Sequence, residues 1–192
     1  MKFTQIPAST FEELQLNAGV LLSEFDPTSG EISRENILGA TTGGVTFTDA
    51  PTYVDFGEDI DNCPKNTKEL KRVDDRDVSL SGTYVTVNTA IAKALVAAAD
   101  IDSADTTKIV PRNYLKDSDF ADIWWVGDYS DVNTGDNAGF IAIKLSNALS
   151  TGGFSLTSGD RSKGQFGFTY TAHYSMDDPE TVPYEMYIKQ GE

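Results

Sequence analysis

The sequence predicts a mainly β protein: a β-sandwich or barrel with one flanking α-helix and one long polar loop. Runs of strand length alternate apolar with polar residues, turn-forming residues recur between those runs, and one stretch has a helical period. With 192 residues and 39% hydrophobic residues, the chain is long and apolar enough to bury one core. We therefore expect a single domain over residues 1–192, with residues 55–75 as an inserted loop.

The clearest strand signal lies in the last third of the chain, over residues 165–174. One face of this run carries Phe166, Phe168, Tyr170, Ala172 and Tyr174, and mostly polar residues alternate with them. The same two-residue period, or enrichment in β-branched residues, predicts further strands at 14–22, 45–48, 52–56, 77–87, 123–126, 141–149, 154–157 and 182–188.

The joints between these runs have turn chemistry. Turns rich in Gly, Asn, Asp, Ser and Thr are predicted at 26–30, 42–44, 133–137, 151–153 and 158–160. Residues 131–136 resemble a calcium loop faintly, but Gly stands at the fifth position and Ala142 occupies the place of the required Glu. A hairpin turn is the better interpretation, and no metal site is predicted.

One helix is predicted at residues 89–99. Asn88 suits the N-cap position, because its side chain can accept a hydrogen bond from the first turn. Ile91, Ala94, Leu95 and Ala98 form a narrow apolar stripe at helical spacing. A single short helix among many strands indicates a helix packed on the flank of a sandwich.

Residues 55–75 are a polar segment with opposite charges at its two ends. The first part is acidic (Asp55, Glu58, Asp59 and Asp61) and the second part is basic (Lys65, Lys68, Lys71 and Arg72). The segment has no sustained apolar period, which argues against a core strand or a buried helix. Two interpretations follow: a solvated surface loop, or an arm whose charged ends contact neighbouring subunits.

Composition excludes several classes of function. The net charge of −15 should repel nucleic acid and anionic membranes, since phosphate binding requires clustered cations. Cys63 is the single cysteine, so no disulfide can form within the chain. The first residues lack the apolar stretch of a signal peptide, and the longest apolar run, 94–99, is far shorter than a membrane span. We expect synthesis and folding in the cytoplasm.

The residues suited to chemistry do not form a recognisable site. His173 lies within a predicted strand, and Cys63 lies in a polar loop beside several acids. Trp124 and Trp125 point to opposite faces of a predicted strand, so one should be core and the other should lie at a surface or a subunit interface. Flanking carboxylates leave a sugar-binding cleft as a minority interpretation, namely Asp117, Asp119, Asp122 and Asp128. No catalytic residue and no cofactor is predicted.

Most of the chain, about residues 14–189, resembles the major tail proteins, or tail tube proteins, of long-tailed phages and prophages of Gram-positive bacteria. The similar segments are NAGVLLSEFDPTSGE (17–31), ILGATTGGVTF (37–47), DFGEDIDNCPKNTKELKRVDD (55–75), DSDFADIWWVGDYS (117–130), NALSTGGF (147–154) and TVPYEMYIK (181–189).

This resemblance implies a structural protein of the virion. Proteins of that family are β-sandwiches that form hexameric rings, which stack into a hollow tube for DNA ejection. Strands line the lumen and a long loop reaches the adjacent ring, so residues 55–75 become the candidate loop. The implied partners are other copies of the chain, with tape-measure, tail-tip and tail-terminator proteins. DNA would pass without specific binding, and assembly would occur in the host cytoplasm.

Three alternatives remain open from the sequence. The first is the inner tube of a contractile tail or injection particle, and the second is a carbohydrate- or receptor-binding sandwich of the tail tip. The third is an enzyme, for which the residues provide the least support.

Overall fold

The computed structural model describes residues 5–129 and 138–191, so the predicted turn at 133–137 and the weak calcium-loop pattern at 131–136 lie outside the described residues. The strands are β1 (Gln15–Leu22), β2 (Thr41–Asp55), β3 (Lys71–Tyr84), β4 (Ala99–Ile101), β5 (Ile109–Pro111), β6 (Ala121–Tyr129), β7 (Phe140–Ser150), β8 (Ser155–Thr157), β9 (Gln165–Thr171) and β10 (Tyr184–Lys189). The α-helix is α1 (Thr89–Val96), and short 3₁₀ turns occur at Thr10–Glu12, Arg34–Asn36 and Asp117–Asp119.

The strands form one eight-stranded antiparallel sheet and a small two-stranded one. The main sheet has the order β1-β6-β7-β9-β3-β2, with β10 paired to β7 and β8 paired to β9, whereas β4 pairs with β5. Strand β7 is shared, because Phe140–Leu145 pair with β10 while Leu149 and Ser150 pair with β9. The prediction of a mainly β fold with one α-helix is confirmed.

The main core joins side chains from both halves of the sheet, which therefore enclose it as two layers do in a sandwich. Leu21, Ile123, Ile143 and Leu145 come from the half that contains β1, β6 and β7. The opposite half supplies Val78, Leu80, Tyr84, Phe166, Phe168 and Tyr170. The alternation predicted at 165–174 is confirmed within β9, where Phe166, Phe168 and Tyr170 are buried. Ala172 just beyond the strand is buried too, but Tyr174 is 42% exposed because the strand ends at Thr171.

Helix α1 covers the flank of this core, as predicted. The Asn88 side chain accepts a hydrogen bond from Ile91 N at 2.8 Å, and Ile91 and Leu95 are buried in the core. The helix ends at Val96 and not at residue 99, because Ala97 adopts φ 64° and Ala99 begins β4. A positive φ at a residue with a Cβ breaks the helical repeat.

A second, smaller cluster lies on the other face of β6 and β7. It contains Leu22, Phe25, Trp124, Val126, Phe140 and Ala142. Trp124 is buried there, whereas the Trp125 side chain points to the opposite face and packs partly buried against the main core. The indole Nε1 of Trp125 donates a hydrogen bond to Ala18 O at 3.0 Å. The opposite orientation of the two tryptophans is confirmed.

Strand β2 corrects two sequence predictions. Residues 45–48 and 52–56 were expected as separate strands after a turn at 42–44, but β2 is continuous through Pro51. Gly43 and Gly44 have φ of 77° and 84°, and the β2–β3 register shifts between Thr42 and Val45. The glycines therefore form a bulge within one long strand, because their positive φ lets the chain add residues without leaving the sheet.

The boundaries of the polar loop also need correction. Asp55 ends β2, residues 71–75 belong to β3, and the loop spans residues 56–70. Residues 71–75 are all exposed, because this part of the strand pair has water on both faces. With no face turned to a core, the sequence there shows no apolar alternation. The segment predicted as a loop is thus the outer end of a long β-hairpin.

Candidate functional site

The most distinctive feature of the molecule is the outer part of the β2–β3 hairpin, residues 50–77, which we call the hairpin arm. Strand β3 pairs with both β2 and β9 from Ser79 to Tyr84. Beyond Val78, whose carbonyl accepts a hydrogen bond from Ala172 N at 2.9 Å, β3 pairs with β2 alone in the described part of the chain. The arm is therefore a two-stranded ribbon that extends past the sheet.

A polar contact fixes the base of the arm to the body. Asp49 Oδ2 accepts a hydrogen bond from the Tyr184 hydroxyl at 2.9 Å and forms an ion pair with Arg76. The hydrogen bond to Asp49 raises the pKa of Tyr184. The rings of Phe47 and Tyr184 pack beside this contact, with 5.3 Å between their centroids. Contacts of side chains from β2, β3 and β10 therefore set the angle at which the arm leaves the body.

The tip of the arm, residues 56–70, is held by its own hydrogen bonds. Asp55 accepts from Gly57 N at 2.9 Å and from Asn66 N at 2.7 Å. These two bonds lower the pKa of the Asp55 carboxyl, because they favour its charged form. Phe56 N also donates to Leu70 O at 3.2 Å, which closes the two ends of the loop. The tip is an ordered structural unit.

The eight charged residues predicted as subunit contacts divide into two groups. Three of them support the arm itself: Asp55 caps the tip, Lys71 Nζ donates to Asn66 Oδ1 at 3.2 Å, and Arg72 donates to Glu69 O at 2.8 Å. The other five side chains are exposed and form no hydrogen bond or ion pair with residues 5–129 or 138–191; they are Glu58, Asp59, Asp61, Lys65 and Lys68. The second group is available to another molecule.

The arm also has an apolar surface that the charge pattern of residues 55–75 does not predict. Tyr53 and Val73 are direct cross-strand partners and lie on the same face, with exposures of 57% and 50%. Phe56 and Ile60 at the tip are 63% and 51% exposed. The available signal was the presence of large apolar residues, among them Tyr53, Phe56, Ile60 and Val73, within a segment rich in charged residues. Together with the charges, these side chains give the arm the composition of a binding surface.

The carboxylates around Trp124 and Trp125 were the candidate residues for a sugar-binding cleft. The carboxylates near the tryptophans are separately engaged: Asp119 with Arg112, Asp122 with Lys144, and Asp128 with Asn17. Asp119 is half-buried as a residue, although its side chain has no exposed surface, and the hydrogen bond from Arg112 lowers its pKa. Each of these three carboxylates therefore has its own partner within the chain.

His173 lies beyond the end of β9, not within it as predicted. Its Nδ1 is 3.2 Å from Asn147 O, and its ring packs edge-on against Phe120 with 5.3 Å between centroids. The ring lines an open cavity of about 440 Å³. In the described residues, no group of three or more His, Cys, Asp or Glu side chains is placed to hold a metal ion.

Cys63 is half-buried in the tip, with its Sγ 3.5 Å from Thr67 Oγ1. The Sγ also lies close to Gly57, where an added Cβ would be 3.2 Å away from it. Across residues 5–129 and 138–191, no helix is long and apolar enough to cross a membrane.

Comparisons with known proteins identify no family. No protein-family model matches the chain, and no curated protein is significantly similar to it. One similar solved structure is described as "Virion of native gene transfer agent (GTA) particle"; it has 7% identity and a TM-score of 0.43 and covers 90% of this chain and 95% of that chain. Similarity at this level shows no function, so the functional interpretation depends on the chain's own residues.

Proposed function

We propose that this chain is a structural virion protein that assembles with copies of itself, as a tail tube protein does, into stacked rings around a hollow channel. The observation that carries the proposal is the hairpin arm. An isolated two-stranded ribbon is marginally stable in water, and packing against another surface stabilises it. This ribbon nevertheless has a hydrogen-bonded tip and four half-exposed apolar side chains, Tyr53, Phe56, Ile60 and Val73.

The chemistry of the arm suits contact with another protein surface better than catalysis. Its apolar side chains would supply affinity once covered, because burial of apolar area drives association. Its exposed charges would select the partner and the register, since charges at the rim of an interface mainly provide specificity. We propose a non-catalytic role for the chain on this basis.

The net charge of −15 fits a channel for DNA. A duplex carries one negative charge per about 1.7 Å of its length, so a negative wall repels it and cannot hold it. DNA would then pass through the tube without specific binding. The tape-measure, tail-tip and tail-terminator proteins remain the expected partners of such a tube.

The inner tube of a contractile tail would have the same arm and the same subunit contacts. A contractile sheath bound around the assembled tube would favour the inner tube of a contractile tail. Purified particles without a sheath would favour a non-contractile tail. The receptor-binding alternative requires an exposed binding surface, but Trp124 is buried and Trp125 is partly buried and hydrogen-bonded to Ala18.

The first experiment is negative-stain electron microscopy of the purified chain over a range of protein and salt concentrations. We expect rings or hollow tubes from the natural sequence. We expect none from a variant in which residues 51–76 are replaced by Asn-Gly, a two-residue hairpin turn that can join the partners Ala50 and Asp77. Unchanged far-UV circular dichroism would show that the body still folds. Normal tubes from the arm-deleted variant would overturn the proposal.

Point variants test the charges separately. Changing Lys65 and Lys68 to Glu should reduce tube formation, because both side chains are exposed and without an ion-pair partner in the described chain. The matched control changes Arg34 and Lys108 to Glu, which alters net charge by the same amount at exposed positions on the body, away from the arm, the rim around β8 and β10. Equal behaviour of the two variants would assign the effect to net charge and exclude a specific contact at the tip.

A further inference from the structure

The arm and strand β8 lie at opposite ends of the same half of the sheet. Where β3 pairs with β9, Ser79 lies opposite Thr171 and Tyr84 lies opposite Phe166. The arm continues from the Ser79 end, whereas β8 pairs with the first residues of β9 at the Tyr84 end. A contact between the arm of one copy and the β8 end of another is head-to-tail, and such contacts propagate without closing on themselves.

The β8 end carries its own uncovered apolar surface. Leu156 lies opposite Phe166 in the pairing of β8 with β9, so it shares the face of the core, yet it is 53% exposed. Phe154 precedes β8, is 44% exposed and lies 5.9 Å from the ring of Phe166. Both are rim residues of the core that no described element covers.

Cations stand beside this apolar surface. Arg161 is 93% exposed and reaches only Asp160, at 3.8 Å, while Lys163 is exposed and forms no ion pair with the described residues. Lys163 also lines a cavity of about 310 Å³ together with Thr42, Val85, Ser158 and Gln165. We call Phe154, Leu156, Arg161 and Lys163 the β8 rim.

The two surfaces match in both apolar character and charge. The arm tip exposes Phe56 and Ile60, and its turn carries three acids without partners in the described chain, Glu58, Asp59 and Asp61. The β8 rim exposes two large apolar side chains and two cations, with one exposed acid, Asp160, beside Arg161. Opposite charges beside matching apolar patches favour one docking arrangement over others.

We propose that the β8 rim is the surface that receives the arm tip of a second copy of this chain. Phe56 and Ile60 pack against Phe154 and Leu156, and the acidic turn faces Arg161 and Lys163. This assignment rests on the proposed self-assembly and names the surface that completes it.

Cross-linking tests the assignment in a variant that carries Cys63→Ser and Glu69→Cys, because Cys63 is half-buried whereas Glu69 is an exposed position of the tip. A second thiol is introduced at the rim by Ser158→Cys, and a short bismaleimide is added at concentrations where the protein associates. We expect a ladder of trimers and longer covalent chains, since each copy then carries one thiol at each end. Ser158→Cys in a Cys63→Ser background has one thiol per copy, so it can yield dimers at most.

The competing receiving surface is β10, an edge strand on which Met186 is 49% exposed. A ladder from Met186→Cys and none from Ser158→Cys would overturn the assignment while leaving self-assembly intact. If sedimentation shows that the natural chain stays monomeric at every concentration and salt, both the assignment and the proposed function are wrong.

Charge exchange provides a second test that does not depend on the linker. Glu58→Lys, Asp59→Lys and Asp61→Lys together should suppress tubes, and so should Arg161→Glu with Lys163→Glu. Combining the two sets should restore tubes to near the natural yield, because the opposite charges meet again with reversed sign. Failure of the combined variant to recover, with each variant folded by circular dichroism, would contradict the contact.

Discussion

The inner and outer parts of the β2–β3 hairpin share the same two strands but have different surroundings. In the inner part, Val78, Leu80 and Tyr84 are almost fully buried beneath the opposite half of the sheet. In the arm, Tyr53 and Val73 pair directly and remain about half exposed. The inner part is stabilised within one chain, whereas the arm leaves apolar side chains in contact with water.

The largest expected effect comes from the inner part. Leu80→Ala removes a fully buried side chain from the main core and should lower the free energy of unfolding by about 2–5 kcal/mol. Urea unfolding followed by tryptophan fluorescence measures it. A loss close to zero would mean that the two halves of the sheet do not enclose a common core.

Asp119 in the body and Asp55 in the arm allow the same comparison for charged groups. Their substitution should change stability less than Leu80→Ala does. Hydrogen bonds lower the pKa of both Asp119 in the body and Asp55 in the arm. Each therefore contributes stability above its unfolded pKa of about 3.9, and that contribution is lost as pH falls through the lowered folded value. The Asp119 side chain is buried against Arg112, whereas Asp55 acts only on the tip.

Asp119→Asn should therefore lower the melting temperature of the whole chain at pH 7 and weaken the loss of stability below about pH 4. Asp55→Asn should leave the melting temperature nearly unchanged and speed amide hydrogen exchange at Gly57 and Asn66, which lose a charged acceptor. Equal global destabilisation by both variants would show that the arm and the body unfold as one unit.

The smallest effect on folding is expected in the arm. Val73→Ser alters a half-exposed side chain on a two-stranded ribbon and should change the free energy of unfolding by no more than about 0.5 kcal/mol. The same variant should slow tube growth measured by light scattering, because it removes apolar area from the arm. A large loss of stability would place Val73 in the folding core and weaken the distinction between the two parts.

The sequence predicted the buried elements better than the exposed ones, for a physical reason. Phe166, Phe168 and Tyr170 alternate because one face of β9 meets the core, so their period is visible in the chain. Residues 71–75 have water on both faces, and no selection for alternation marks them as a strand. The Gly43–Gly44 bulge resembled a turn because both features require positive φ.

The candidate site could be predicted in part. Its charges and approximate position were visible in the composition of residues 55–75, and the eight contact residues remain a prediction. The sequence does not show which of these charges form hydrogen bonds within the tip and which remain exposed. That division depends on which atoms the folded loop brings together. The β8 rim has no sequence pattern of its own, since Phe154 and Leu156 look like core residues until their neighbours are known.

Pro51 has a consequence for how copies of the chain avoid one another. The carbonyl of Val78 accepts its hydrogen bond from Ala172 N, on the side of β3 away from β2. Backbone groups two residues apart in a strand face the same side, so those of Arg76 also face away from β2. Its cross-strand partner Pro51 therefore has its backbone groups on the open edge of β2. Proline has no N–H to donate there, which interrupts the row of donors that a stray strand would need. The open edge of β2 therefore offers an incomplete row of hydrogen-bond donors for pairing with an edge strand of another molecule.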